Sequence, residues 1–273
     1  MTSATVEAPW GSQRLHTGRE TWLRHRAVRL AAGLVVLVVL ARQFGAAPFV
    51  DGLHAVRPWA VVAAVLLTAA TTYCCARRWV LVAGHYDAVL PLGTAYAAYY
   101  RSQFLNVVLP GGVVGDVHRG VRHGWRAVLV ERGIGQVVQI VLVGALLLPD
   151  PWRWWGVAAL AFAVSALGGI AMWSALSTTG HLLVFVIAAQ SANLPLTTLL
   201  PIGALVLLAA ACPFNIGGWG PREGVAAYAF TAFGSTAATG LTVAVTFGVL
   251  SSVATLPGLL VLATRASAEG TTS

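Results

Sequence analysis

The sequence contains no lysine, and only nine carboxylate side chains are spread over its 273 residues. Just 10% of residues are charged, where an ordinary globular domain carries roughly a quarter. So little charge cannot cover a water-facing surface, which excludes a soluble domain of this length. Cysteine is scarce as well: Cys74, Cys75 and Cys212 all lie in apolar stretches. None has the spacing of a Cys-x-x-Cys pair or a Cys/His ligand set, so neither a disulfide framework nor a zinc site is expected. Paired-acid motifs such as Asp-x-Asp and nucleotide-binding loops are missing too, and no cofactor or metal is expected.

What is present is apolar. Hydrophobic residues make up 58% of the chain and the mean hydropathy is +0.77. Lipid is the solvent that suits such a composition. All seventeen basic residues are arginine, and they set the net charge at +8. In a soluble protein that excess would suggest nucleic acid. Here the arginines stand at the ends of apolar runs, as topology determinants and headgroup contacts do. Nucleic acid is therefore not an expected partner.

A membrane-crossing helix needs about 20 mostly apolar residues. Candidate spans fall at 27–46, 59–76, 127–148, 154–173, 178–194, 196–212, 223–238 and 241–263. The charged stretch 1–26 ahead of an apolar run resembles a signal peptide, but residues 28–44 contain no small-residue cleavage site with a polar flank, so that run is expected to remain as an uncleaved first span. Residues 1–26 and 264–273 are then polar cytoplasmic tails around a transmembrane domain at 27–263. Arginine placement puts both termini in the cytoplasm of a multi-pass cell-membrane protein, with Arg77, Arg78, Arg119, Arg122, Arg126 and Arg265 inside. The tryptophan-rich segment 149–155 reads as an external loop. The expected fold is an all-α polytopic bundle of about eight spans.

Residues 79–118 resist that scheme. They connect two arginine clusters that both belong inside, yet 88–109 are largely apolar. A re-entrant hairpin or a pair of broken half-helices resolves the conflict, and such backbone is tolerated at membrane depth only beside protein or a water-filled cavity. Within it, FLNVVLPGGVVGDVHRG (104–120) stops an apolar run at Pro110 and follows it with Gly111, Gly112 and Gly115, then Asp116 and Arg119. A second break, CPFNIGGWGPREGVA (212–226), repeats the outline with Pro213, Asn215, Gly217, Gly218, Gly220, Arg222 and Glu223. Proline at 221 is pre-organised to start a helix, and Glu223 suits its first turn. Matched interruptions in two halves of a hydrophobic chain point to a binding site and to an inverted repeat.

The charges at these breaks are the sharpest signal, because an Asp or Arg at a span centre costs about 2.5–3.5 kcal/mol. Arg101, Asn106, Asp116, Arg119, Asn215, Arg222 and Glu223 are the candidate substrate-binding residues, facing one shared polar cavity. The alternative for Asp116 is a helix cap, and for Arg122 a purely topological role. Glu131 with Arg132 either pairs with a site arginine or sits at the interface. Tyr96, Tyr99 and Tyr100 either line the hairpin or belt the interface, His181 reads as interfacial, and Gln136, Gln139 and Gln190 read as interhelical hydrogen-bonders.

Four motifs carry a family resemblance: Arg77-Arg78-Trp79, FLN-x-x-LPGG-x-x-GD-x-x-R at 104–119, ER-x-x-G at 131–135, and P-x-N-x-GG-x-G-x-RE at 213–223. Together they resemble the transmembrane region of lysylphosphatidylglycerol synthases, also described as flippase-like, over about 27–263. The chain departs from the family pattern at Val114, where a glycine is usual. The resemblance implies an integral membrane bundle that handles lipids, often by moving them between leaflets. Bifunctional members add a large soluble aminoacyl-transfer domain, for which the residues after 263 leave no room.

The expected function is translocation of a lipid with a charged headgroup, a phospholipid or polyprenyl-phosphate type. Arg101, Arg119 and Arg222 would neutralise its phosphate, and Asp116 and Glu223 would hold them when the site is empty or contact a cationic headgroup. The alternative is a membrane-embedded transferase, or an accessory subunit, acting on a lipid phosphate, with Asp116 or Glu223 as its base. The expected partners are anionic membrane lipids and a separately encoded lipid-modifying enzyme.

Overall fold

A computed structural model of the chain describes residues 31, 34–35, 38–86, 88–109, 114–149, 152–212 and 219–261. Every regular element among them is helical. Helix α1 includes 38–44, followed by α2 (Ala47–His54), α3 (Pro58–Gly84), α4 (Leu92–Val108), α5 (Val114–His123) and α6 (Trp125–Leu147). Then come α7 (Trp152–Leu167), α8 (Gly169–Ala188) with a 3-10 turn at Ala189–Ala192, α9 (Leu196–Ala210), α10 (Pro221–Ala232) and α11 (Ala237–Ala254). Proline opens α3 and α10 at their first turns, where its missing N–H has no partner to lose.

Four helical stretches are long and apolar enough to cross a membrane: Pro58–Gly84, Trp125–Leu147, Gly169–Ala192 and Ala237–Val261. The expected count of about eight is not reached among the described residues. The expected spans at 196–212 and 223–238 are helices of 15 and 12 residues. At 1.5 Å per residue these reach about 22 and 18 Å, short of the roughly 30 Å of hydrocarbon. The boundary expected between 173 and 178 lies instead at Gly168, whose φ of +52° ends α7 and lets α8 start at once. Helix α1 is only partly described.

Side-chain register gives the directions. Helix α8 runs antiparallel to α3: Gly180 packs on Thr71, Cys75 Sγ lies 3.1 Å from Ser177 Oγ, Arg78 Nη1 donates to Ser174 Oγ at 3.1 Å, and Gly169 meets Leu81. Helix α6 is also antiparallel to α3, with Glu131 and Gly135 against Arg78 and Val143 in the same core cluster as Ala60 and Ala64. Helix α10 is antiparallel to α11, with Arg222 against Gly248 and Ala226 against Gly240. Because Gly248 is near the midpoint of Ala237–Val261, α10 accompanies only half of that span. Helix α9 likewise accompanies only the second half of α8, with Gly203 against Leu182 and Phe185.

Two cores divide the bundle. One gathers Ala64, Phe185, Ile202, Phe230, Val243 and Phe247 from α3, α8, α9, α10 and α11. The other gathers Ala76, Trp79, Val82, Ala95, Tyr99 and Val128 from α3, α4 and α6. The outside is apolar as well: Val62, Leu66, Leu129, Ile140, Phe162 and Leu183 are all exposed. Buried charge inside exposed hydrocarbon is the pattern of a bundle solvated by lipid.

Close helix approach depends on glycine where α10 meets α11. A Cβ on Gly240 would lie 2.5 Å from the Ala226 carbonyl oxygen, a backbone atom that cannot step aside. We predict that Gly240→Ala lowers stability by about 1–3 kcal/mol. Gly144→Ala, where nothing lies within 4 Å, leaves it unchanged or raises it slightly. Thermal unfolding of the two purified variants in one detergent separates these outcomes.

Candidate functional site

The first break is built around Asp116. It sits in the first turn of α5, where a carboxylate suits the helix dipole. Ser102 Oγ and Asn106 Nδ2, both on α4, donate to it at 3.1 Å each. Asn106 Oδ1 in turn accepts from the Gly115 backbone N–H at 2.7 Å. Gly115 is required here for a second reason, since a Cβ would fall 2.1 Å from the Ser102 carbonyl oxygen. The backbone N–H at the start of α5 is thus met by Asn106, while the Asp116 carboxylate pairs with Arg119 at 3.0 Å and with Arg132 of α6.

Arg119 leads inward from that pair. Its guanidinium, 1% exposed, reaches Glu131 Oε2 at 3.3 Å and lies 4.0 Å from the Tyr99 ring and 4.6 Å from the Trp79 ring. Its Nε and Nη1 have no hydrogen-bond partner among the described residues, and the two ring faces supply part of the missing attraction. Glu131 is wholly buried on α6. Its Oε1 accepts from Arg78 Nε at 2.8 Å, from Arg78 Nη2 and from the Tyr99 hydroxyl at 3.1 Å. Three arginines and two carboxylates from α3, α5 and α6 thus form one network.

The second break holds a separate pair. Arg222 Nε and Nη2 donate to Glu223 Oε1 at 2.8 and 2.5 Å. Glu223 Oε2 accepts from the Gly220 backbone N–H at 2.7 Å. Gly220 has a φ of +115°, a conformation that side-chain-bearing residues rarely adopt, and it turns the chain into α10. The Arg222 guanidinium lies 4.7 Å from the Trp219 ring and fits against Gly248, where a Cβ would come within 2.2 Å of Nη2.

A cavity of about 320 Å³ separates the two groups. Arg78 and Arg132 border it from one side and Arg222 from the other. Asn106, Gln103, Gln136, Gln139 and His181 are among its remaining polar walls, while Val107, Val184, Leu207 and Phe247 supply apolar ones. Of the candidate site residues, Asn106 and Arg222 border this cavity. Asp116, Arg119 and Glu223 stand behind it, each bonded to an arginine that faces it or to the carboxylate that holds one. Arg101 is buried on α4 and is not a wall of the cavity. Asn215, Pro110, Gly111, Gly112, Pro213, Gly217 and Gly218 lie outside the described residues.

Four participants escape a reading by arginine placement alone. Arg78 looks like a cytoplasmic flank after an apolar run, yet α3 continues through WVLVAG to Gly84 and encloses it. That apolar continuation was the available signal. Arg132 and Tyr99 belong to the network rather than to the interface, and His181 lies in the cavity wall on α8. No group of three or more metal-ligating side chains occurs among the described residues.

Apolar helices outside and ion pairs inside define a multi-pass integral membrane protein. The family model described as lysylphosphatidylglycerol synthase TM region matches residues 26–179. The chain belongs to that family, whose subject is lipid. No curated protein and no solved structure matches it.

The buried carboxylate at the centre of the network gives a direct test. Replacing Glu131 by Gln leaves Arg78 and Arg119 in low dielectric without their shared partner, and is expected to cost about 3–5 kcal/mol. Arg132→Gln should cost about 1 kcal/mol, because the Arg132 side chain is 45% exposed. Unfolding curves in detergent that ranked the two variants in the opposite order would overturn this assignment of the central carboxylate.

Proposed function

We propose that the protein is a lipid translocator that moves a lipid with an anionic headgroup, or a lipid phosphate, between the leaflets of the cell membrane. The observation that carries this reading is the cavity bordered by Arg78 and Arg132 on one side and Arg222 on the other. A phosphate in that space meets guanidiniums from α3, α6 and α10. Arginine is suited to it by a planar fork of donors that matches phosphate oxygens. The start of α10 adds a second attraction, since a helix N-terminus favours negative charge.

The topology we infer has two opposed hairpins. Helices α4 and α5 enter from the side where α3 ends, and α9 and α10 enter from the side where α3 begins. The sequence that joins each pair contains one of the two glycine-rich breaks. We count α3, α6, α8 and α11 as full crossings and α1 and the 16-residue α7 as two shorter ones, which leaves both termini in the cytoplasm, in keeping with Arg122, Arg126 and Arg265. Opposed hairpins meeting at the midplane are the design of inverted-repeat transporters, in which rocking of one half against the other gives alternating access. The proposed partners are membrane lipids, with a separately encoded lipid-modifying enzyme as supplier or consumer of the cargo.

Leaflet exchange in reconstituted vesicles tests the reading, with a fluorescent anionic phospholipid as cargo. Arg132→Gln, and the double change Arg222→Gln with Glu223→Gln that leaves no orphaned buried charge, are each expected to slow exchange at least about tenfold. Arg122→Ala, which borders no part of the cavity, should exchange at the parental rate. Parental rates in both cavity variants, with folded protein verified by gel filtration, would remove the site.

A further inference from the structure

Among the described residues, the wall of the cavity holds one side chain of the kind that changes charge near neutral pH. His181 lines it from α8, and Arg78 of α3, Arg132 of α6 and Arg222 of α10 border the same space. A guanidinium stays charged throughout the physiological range. Asp116, Glu131 and Glu223 stand behind the wall, each bonded to one of those arginines. Cys75 of α3 and Tyr99 of α4 also border the cavity, and thiols and phenols ordinarily keep their protons at neutral pH. The other elements packed on α8 add no charge there. Helices α9 and α11 and the 3-10 turn contain no ionisable side chain, and α7 has none among its described side chains.

The ring has a fixed tautomer. His181 Nδ1 lies 2.7 Å from the Ser177 carbonyl oxygen, which can only accept, so Nδ1 carries a proton whether the ring is neutral or charged. Nε2 makes no hydrogen bond to protein among the described residues, and it is the atom that gains and loses the second proton. An imidazolium beside three guanidiniums is repelled by them, and little salt screens charges around a cavity of about 320 Å³. A monoanion among the arginines attracts the imidazolium instead. Binding of the anion and binding of a proton at Nε2 therefore favour each other. By linkage, each raises the affinity for the other by the same factor.

We propose that the cavity takes up its anion together with one proton, which His181 Nε2 holds during the crossing. The proton comes from water on the side where the anion enters and returns to water where the anion leaves. A monoanion and its proton then cross with no net charge. A pH difference across the membrane drives the anion toward the alkaline side, and the membrane potential does not oppose it. The proposal rests on the reading of the cavity as the anion site and adds the coupling that powers it.

Titration calorimetry of the full-length protein in detergent tests it, run in two buffers of different protonation enthalpy so that the protons taken up are counted. The probe is dihexanoyl phosphatidylmethanol, a phosphodiester whose own charge stays constant over the range where histidine titrates. Uptake of up to about one proton per lipid is expected, with binding about tenfold tighter at about pH 5.5 than at about pH 8. His181→Gln should bind the probe without proton uptake and equally at both pH values. His181→Asn, whose amide keeps a donor for Ser177, serves the same purpose if the first variant does not fold. Uptake that persisted in these variants, or binding by the parent without uptake, would overturn the proton coupling; Arg132→Gln weakening binding at both pH values would then leave the site in place. Parental affinity in Arg132→Gln would remove the site and this proposal together. Dimethyl phosphate binding as tightly as the lipid, with the same proton uptake, would uphold the coupling and move the anion's source from the membrane to water.

Discussion

An arginine inside a lipid-solvated bundle must be matched by a carboxylate, an aromatic face or a ligand, and most of this structure follows from meeting that requirement. Arg78 belongs to the longest apolar helix, and its guanidinium is buried. Glu131 answers it from α6, Tyr99 joins from α4, and Arg119 arrives from α5. Four helices are tied together at one carboxylate. Such a cluster contributes little net stability beside an apolar replacement of the same shape. Its presence is better explained by what it keeps at the cavity wall, which is a pair of arginines held at fixed positions.

The helices make room for these arginines with glycine. Arg78 lies against Gly135 and Arg222 against Gly248, and a methyl group at either position would crowd the guanidinium. Both glycines interrupt otherwise apolar helices, where each costs up to about 1 kcal/mol relative to alanine. The same economy of space lets α5 approach α4 at Gly115 and α11 approach α10 at Gly240. Small residues are how helices come together in lipid, where burying apolar surface gives no advantage over leaving it in contact with acyl chains.

Much of this was legible in the chain. Low charge and apolar runs pointed to a helical membrane bundle, the motif at 104–119 singled out Asn106 and Asp116, which meet at 3.1 Å, and Gly220-Pro221-Arg222-Glu223 marked a helix start with Glu223 in its first turn. Helix length was less legible, because α9 is as apolar as a true span and only its packing against half of α8 exposes it as short. Arg78 was misread, and Arg132 left open, for a different reason. An arginine after an apolar run looks the same whether it faces headgroups or a buried carboxylate, and the carboxylate that decides the matter stands 53 residues away from Arg78. Glycine at i+4 from Glu131, namely Gly135, was the local hint that something large packs there.

The two carboxylates of the larger network do different work. Glu131 is sealed, with no exposure, and its partners approach from within the protein. Asp116 is 17% exposed, and its partner Arg132 is the network's most accessible arginine. An anion in the cavity can therefore compete with Asp116 for Arg132 but not with Glu131 for the two bonds from Arg78. Loss of the Arg132 bond would leave Arg119 and Glu131 as the ion pair between α5 and α6, while Ser102 and Asn106 still fasten Asp116 to α4. The network's more accessible link thus lies beside the wall of the cavity, where the proposed cargo's phosphate would meet it, and its sealed link lies behind.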